Sequence, residues 1–182
     1  FKINNIEIFK GGYLGVDIFF VISGYLITKI ITAEIFDTQK FNFFRFYDRR
    51  IRRLIPALIA VIFFTAPIAW IFISPIDLIE FTSSILASVF FFSNYFFLFN
   101  TTEYGADSSL LKPFLHTWSL SVEEQFYLLF PIIIITYHKL KIYKEFLLVG
   151  IFTISFLFCL KMNVYNSDLN FYSPVGRLWE PI

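Results

Sequence analysis

Runs of about 20 apolar residues constrain this chain before anything else, because a segment that long, once in lipid, finds no water for its backbone. Such windows run from about Tyr13 to Ile31, from Leu54 to Ser74, from about Phe81 to Asn100 and from near Trp118 to near Tyr137. A shorter one runs from Phe146 to Leu160. None shows the period-2 alternation of a membrane barrel, so each is expected to be helical. The expected fold is all-α, a polytopic integral membrane bundle of about five membrane helices, with Pro67 kinking the second. Composition agrees: 57% of the residues are hydrophobic, 22% are aromatic and the mean hydropathy is +0.68, beyond the range of a water-soluble domain.

The lipid bilayer is therefore the first expected partner. A net charge of +1 says nothing about other partners by itself, and nucleic acid is not among those expected. Cys159 stands alone in an apolar run, which excludes an intrachain disulfide framework and a cysteine zinc site; no metal ligand set is expected. The chain has no initiator Met and ends at Trp179-Glu180-Pro181-Ile182. It reads as one partial domain over residues 1–182, truncated at both ends.

Orientation follows from the basic stretch Lys40 to Arg53, which carries Lys40, Arg45, Arg49, Arg50, Arg52 and Arg53 against Asp48. The positive-inside rule puts it in the cytoplasm. If every window crosses, residues 101–117 fall inside and the Lys139–Lys144 connection falls outside, against the same rule. Either the larger cluster dominates or one window is re-entrant.

Three constellations are able to carry chemistry. In Gly11-Gly12-Tyr13-Leu14-Gly15-Val16-Asp17-Ile18-Phe19-Phe20-Val21-Ile22-Ser23-Gly24-Tyr25-Leu26, Asp17 and Gly24 lie two turns apart on one helix face. The glycines allow close approach or simply helix packing. An acid is harder to dismiss, since at the bilayer centre it costs roughly 2.5–3.5 kcal/mol on insertion scales. In Phe46-Tyr47-Asp48-Arg49-Arg50-Ile51-Arg52-Arg53, residues Arg45, Arg49 and Arg53 form a strip at i, i+4, i+8. Such a strip either holds phosphates through planar, bidentate guanidinium groups or serves as a topology signal and anionic-lipid anchor.

The third constellation is His116-Thr117-Trp118-Ser119-Leu120-Ser121-Val122-Glu123-Glu124-Gln125-Phe126-Tyr127. On a helix, His116, Ser119, Glu123 and Tyr127 share one side, so Glu123 is a candidate acid/base or orienting carboxylate. Glu124 points about 100° away and, with Ser121, makes a Ser-x-x-Glu pattern that reads as a helix-start capping box.

These three blocks, in this order and spacing, resemble the membrane acyltransferase-3 family, the O-acetyltransferases of lipopolysaccharide and other cell-surface glycans. The resemblance covers nearly the whole chain, and Arg177-Leu178-Trp179-Glu180 looks like the start of a further block. It implies transfer of an acyl group, commonly acetyl, from acyl-CoA as co-substrate to a hydroxyl of a glycan or glycolipid acceptor, in a multi-pass protein of the bacterial inner membrane. Carried over by position, Asp17 and Ser23 match the glycine block, and Arg49, Arg50 and Arg53 match the arginine block that would hold the donor. Trp118, Ser119 and Glu123 match the third block. The implied assignment is Glu123, Asp17 and Ser119 in supporting catalytic roles, with Ser23, His116, Trp118 and Tyr127 lining the pore. The family's Arg-x10-His motif, whose histidine is the usual candidate base, is not in this sequence, and neither His116 nor His138 takes its place. The rival reading is a transporter or scaffold in which Asp17 and Glu123 form a buried proton relay.

Overall fold

In a computed structural model, residues 2–3, 6–7, 14–38, 40–100, 112–140 and 144–182 are described. Gly11, Gly12 and Tyr13 of the glycine block, residues 101–111 and residues 141–143 lie outside them. Lys2–Ile3 and Ile6–Glu7 form a two-residue antiparallel ladder, with Lys2 opposite Glu7. The other regular elements among the described residues are helices: α1 (Leu14–Thr38), α2 (Phe43–Phe72), α3 (Pro75–Val89), α4 (Ser93–Asn100), α5 (Thr117–Lys139), α6 (Lys144–Tyr165), α7 (Ser167–Tyr172) and α8 (Pro174–Arg177).

Among the described residues, four helices are long and apolar enough to cross a membrane: α1, α2, α5 and residues Glu145–Tyr165 of α6. The protein is an all-α, polytopic membrane protein. The basic stretch is not a loop, because α2 starts at Phe43, where the Asn42 side chain accepts from the Arg45 amide at 3.0 Å and caps the helix. At 30 residues α2 is about 45 Å long, well over the ~30 Å hydrocarbon thickness, so its arginine-bearing turns extend beyond the apolar layer. The helix runs on through Pro56 and Pro67.

The window from Phe81 to Asn100 is where the expectation fails. It breaks at Phe90–Phe92, where Phe91 takes a left-handed φ of 55°. The Phe92 amide reaches the Ala87 carbonyl at 2.8 Å and the Phe91 amide reaches that of Ser88 at 3.1 Å. This is a Schellman helix end with phenylalanine where glycine is usual. The Gln125 side chain then donates to the Phe91 carbonyl at 2.8 Å, which holds the turn in place.

Contacts to α5 and to Lys112 just before it give the directions. Going down α3, Glu80 meets Lys112 at 2.6 Å and Ser88 meets Thr117 at 2.7 Å; at the turn Ser93 meets Ser121 at 2.7 Å. Coming back along α4, the Asn100 carbonyl is again beside Lys112, at 2.7 Å. So α3 and α4 form a hairpin that enters and leaves on one side, and it does not count as a crossing.

Meanwhile α1 runs parallel to α5. Phe20 meets Phe126 edge-on at 5.8 Å, and near the other ends Phe36 meets His138 at 6.0 Å. The end of α5 therefore lies beside the end of α1, and Lys139 and Leu140, which lead into the second basic connection, share a side with the basic turns of α2. With the hairpin re-entrant, both basic connections satisfy the positive-inside rule, and residues 112–117 move to the opposite side from the one expected.

The core has two parts around α5. One joins Phe20, Leu58, Phe81, Phe97, Phe114, Trp118, Val122, Phe126 and Tyr172. The other, nearer the basic side, joins Ile27, Ile31, Phe46, Tyr127, Phe130 and Ile134.

Candidate functional site

Where α1, α2 and α5 meet, the bundle buries charge. Glu123 is 6% exposed. Its Oε1 accepts from Ser23 Oγ of α1 at 2.8 Å and from the Tyr127 hydroxyl one turn along its own helix. Arg50 of α2 enters from the third side, with Nη2 3.8 Å from Glu123 Oε1 and Nε 3.5 Å from Glu124 Oε1. Its guanidinium lies over the Tyr127 ring, 3.3 Å from the centroid. The Tyr47 hydroxyl donates to the Tyr127 carbonyl at 3.0 Å and pins α2 to α5 beside it. Two carboxylates thus share one cation in a site almost shut off from solvent, where a charge without a partner is strongly unfavourable.

Glu124 is consequently not a capping residue. The helix begins at Thr117, four residues before Ser121, and Ser121 is occupied with Ser93. The Ser-x-x-Glu spacing is incidental. Beside Glu123, the enclosed space bounded by Ser23, Gly24, Tyr127 and Pro181 is only about 10 Å3, at most room for one water. In this arrangement Glu123 touches no substrate-sized volume; it positions its neighbours.

A second arginine repeats the pattern. Arg177 Nη1 donates to Asp17 Oδ1 at 2.6 Å and to Glu180 Oε1 at 3.1 Å. Its guanidinium stands 4.8 Å from the Phe171 ring and 5.4 Å from that of Trp118. Past this anchor the chain crosses α1 at Gly24, where a Cβ would sit 2.2 Å from the Pro181 carbonyl oxygen. Gly24 is the point of close approach. Gly15 is not, since a Cβ there meets nothing within 4 Å.

The other candidates separate. Trp118 is buried against Phe171 at 4.4 Å and Tyr172 at 5.5 Å, a core position. Ser119 donates to the His116 carbonyl at 3.2 Å and does not reach Glu123; His116 is exposed and its Nδ1 is 3.0 Å from the Pro113 carbonyl. Ser23 and Tyr127 do join Glu123. In the arginine block only Arg50 turns inward: Arg49 is half-exposed and 3.3 Å from Glu34, Arg52 pairs with Asp48 on the surface, and Arg53 and Arg45 are exposed. Among the described residues no three His, Cys, Asp or Glu side chains gather as metal ligands.

Sequence reasoning missed the special place of Arg50, although the signal was available. Phe46, Arg50, Leu54 and Leu58 recur every four residues, so Arg50 sits in the apolar stripe of α2 while Arg45, Arg49 and Arg53 sit off it. Arg177 and Glu180 were legible only as a block, because the other acid that Arg177 holds, Asp17, is 160 residues away.

The family model described as an acyltransferase domain, of acyltransferase type 3, matches residues 3–179. The chain belongs to this family. Among its relatives, an O-acetyltransferase OatA of Staphylococcus aureus is 42% identical over 130 residues, 71% of this chain and 21% of the relative. A peptidoglycan O-acetyltransferase OatA of Listeria monocytogenes is 41% identical over 130 residues, with the same coverage of 71% and 21%. The chain therefore spans about one fifth of the length of these relatives. No solved structure matches it significantly. Family membership gives the arginine-centred clusters their context, since Arg50, Glu123, Ser23 and Asp17 all come from the three blocks by which the family resemblance is read.

Proposed function

We propose that this chain is part of an O-acetyltransferase of the bacterial cytoplasmic membrane, moving an acetyl group from acetyl-CoA to a hydroxyl of a cell-envelope glycan. The observation that carries the reading is the joining of the family's three blocks at one buried point, Ser23 from the first, Arg50 from the second and Glu123 with Tyr127 from the third. The names of the Staphylococcus and Listeria relatives speak of O-acetyl transfer, and the Listeria name of peptidoglycan. Peptidoglycan is accordingly the acceptor to try before lipopolysaccharide.

In the reaction, the acceptor oxygen attacks the thioester carbonyl carbon, the C–S bond breaks, the hydroxyl proton passes to a base and coenzyme A leaves as the thiol. The exposed Arg49 and Arg53, on the side of the basic connections, would hold the donor's phosphates in this scheme. Arg50 and Glu123 keep α1, α2 and α5 in register beneath them. A proton relay between Asp17 and Glu123 draws no support, because each acid is held by a different arginine, Arg177 and Arg50.

The test is transfer of radiolabelled acetyl from acetyl-CoA to isolated glycan strands by the purified full-length protein. Arg49→Ala with Arg53→Ala should raise the KM for acetyl-CoA about tenfold with less change in kcat, and lysine replacements should restore only part of it. An unchanged donor KM returns these arginines to topology and lipid anchoring, and no transfer by the wild-type protein defeats the reading.

A further inference from the structure

The face opposite the basic connections holds a cavity that the Arg50 cluster does not use. The end of α2, the first turns of α3, part of α4 and the approach to α5 enclose about 430 Å3, within the range of small-ligand sites. Its walls combine ring faces from Phe72, Phe81 and Phe97 with the charged groups of Asp77, Glu80 and Lys112. Lys112 Nζ is 2.6 Å from Glu80, whose side chain is still 40% exposed. Asp77 accepts from Ser74 Oγ through Oδ2 at 2.7 Å.

Among the described residues two carboxylates face one ammonium, a surplus of negative charge that disfavours phosphates, and so disfavours the donor. Carboxylate oxygens only accept hydrogen bonds, and they make strong, short ones with hydroxyl groups. The matching ligand carries many hydroxyl or amide donors, has no negative charge of its own to bring near, and presents an apolar C–H face to an aromatic ring. A sugar ring has these properties.

We propose that this cavity binds a segment of the acceptor glycan, with Asp77 and Glu80 accepting from its hydroxyl or amide groups and a phenylalanine ring covering one sugar face. The proposal rests on the glycan reading above. It also accounts for the hairpin: buried hydroxyls run from Ser88 to Thr117 at 2.7 Å, from Thr117 to Ser93 at 3.0 Å and from Ser93 to Ser121 at 2.7 Å. This run ties the element bearing Asp77 and Glu80 rigidly to the helix bearing Glu123. The acceptor cavity and the arginine side are thereby held at opposite ends of one frame, and in this proposal the donor's long pantetheine arm carries the thioester from the arginines toward the acceptor hydroxyl.

The experiment measures equilibrium binding of a radiolabelled soluble glycan-strand fragment of N-acetylated hexosamines to the purified full-length protein in detergent. Wild type, Asp77→Asn with Glu80→Gln, and Phe72→Leu are compared after size exclusion. The double variant keeps shape and loses both charges, and should weaken binding about tenfold or more. Phe72 is 80% exposed, so its replacement leaves the fold intact and should weaken binding several-fold. Binding equal to wild type in both variants, no binding by wild type, or displacement of the fragment by acetyl-CoA overturns the proposal. The two readings fail separately. Fragment binding that depends on Asp77 and Glu80 without acetyl transfer defeats the proposed reaction and leaves the site; acetyl transfer with wild-type acceptor KM in both variants defeats the site and leaves the reaction.

Discussion

Replacing Arg50 by methionine keeps a long apolar stem in the α2 stripe and removes the cation shared by Glu123 and Glu124. The side chains involved are 19%, 8% and 12% exposed, so solvent replaces little of what is lost. Removing one partner of a buried pair costs about 3–5 kcal/mol. The 3.8 and 3.5 Å separations are long for such a pair, which argues for the lower part of the range; the Tyr127 ring contact adds roughly 1–2 kcal/mol. A loss of about 4–5 kcal/mol is expected, and at about 2–4 °C per kcal/mol for a chain of this size it lowers the Tm by roughly 8–20 °C. The assay is thermal unfolding in detergent, read by tryptophan fluorescence. Second-site changes make the reasoning specific. Without Arg50, Glu123 still has Ser23 and Tyr127 as donors, whereas Glu124 keeps no hydrogen-bond donor for its Oε1. Arg50→Met with Glu124→Gln should therefore recover more stability than Arg50→Met with Glu123→Gln. A loss under about 1 kcal/mol for Arg50→Met, or equal recovery by the two second changes, refutes the shared-cation account.

Single cysteines at Asn42 and at Leu140, in a Cys159→Ser background, should both stay unlabelled by an impermeant thiol reagent in intact cells while one at Ile76 reacts; labelling of Leu140 alone would mean that α1 and α5 are not parallel. Phe91→Val puts a β-branched side chain at φ 55° and should destabilise by about 1–2 kcal/mol, whereas Phe91→Gly relieves the backbone; thermal unfolding separates the two. Gly24→Ala drives a methyl into the Pro181 backbone and should cost about 1–3 kcal/mol, while Gly15→Ala and Gly150→Ala, with open space at each Cβ, should be neutral or slightly stabilising in the same assay.

Among the described residues, hydropathy located all four helices long and apolar enough to cross a membrane, because length and apolarity are local properties. It failed at Phe81–Asn100, where the break has no proline or glycine to mark it. Val89-Phe90-Phe91-Phe92 reads as uniform apolar filling, yet Phe91 closes a helix in the left-handed region. What holds it there is Gln125, 34 residues on. A turn fixed by a distant side chain leaves no signal in its own neighbourhood. That one error propagated, since counting the window as a crossing inverted the side assigned to everything after it.

The site shows the same division between local and distant causes, and it shows what the polar groups do for the bundle. Apolar faces sliding past one another in lipid gain little from any single register, because the lipid is as apolar as the partner helix. Polar contacts do select one. Ser23 with Glu123 sets α1 against α5, Arg50 with Glu123 and Glu124 sets α2 against α5, and Asp17 with Arg177 sets the C-terminal segment against α1. Each pair joins residues far apart in sequence, so helix spacing alone told which side of α5 bore the acids and not what they met. The motif blocks are thus three halves of long-range contacts, and their residues divide by what they touch. Those facing inward, Ser23, Arg50, Glu123 and Tyr127, hold the frame; those facing outward, Arg53 and the half-exposed Arg49 that pairs with Glu34, stand where a phosphate can reach them. If that division is right, Glu123→Gln and Arg50→Lys lower stability and turnover together, while Arg49→Ala with Arg53→Ala raises donor KM at unchanged Tm. A fall in Tm with the outer pair, or a pure donor KM effect with the inner one, would show that the division is misdrawn.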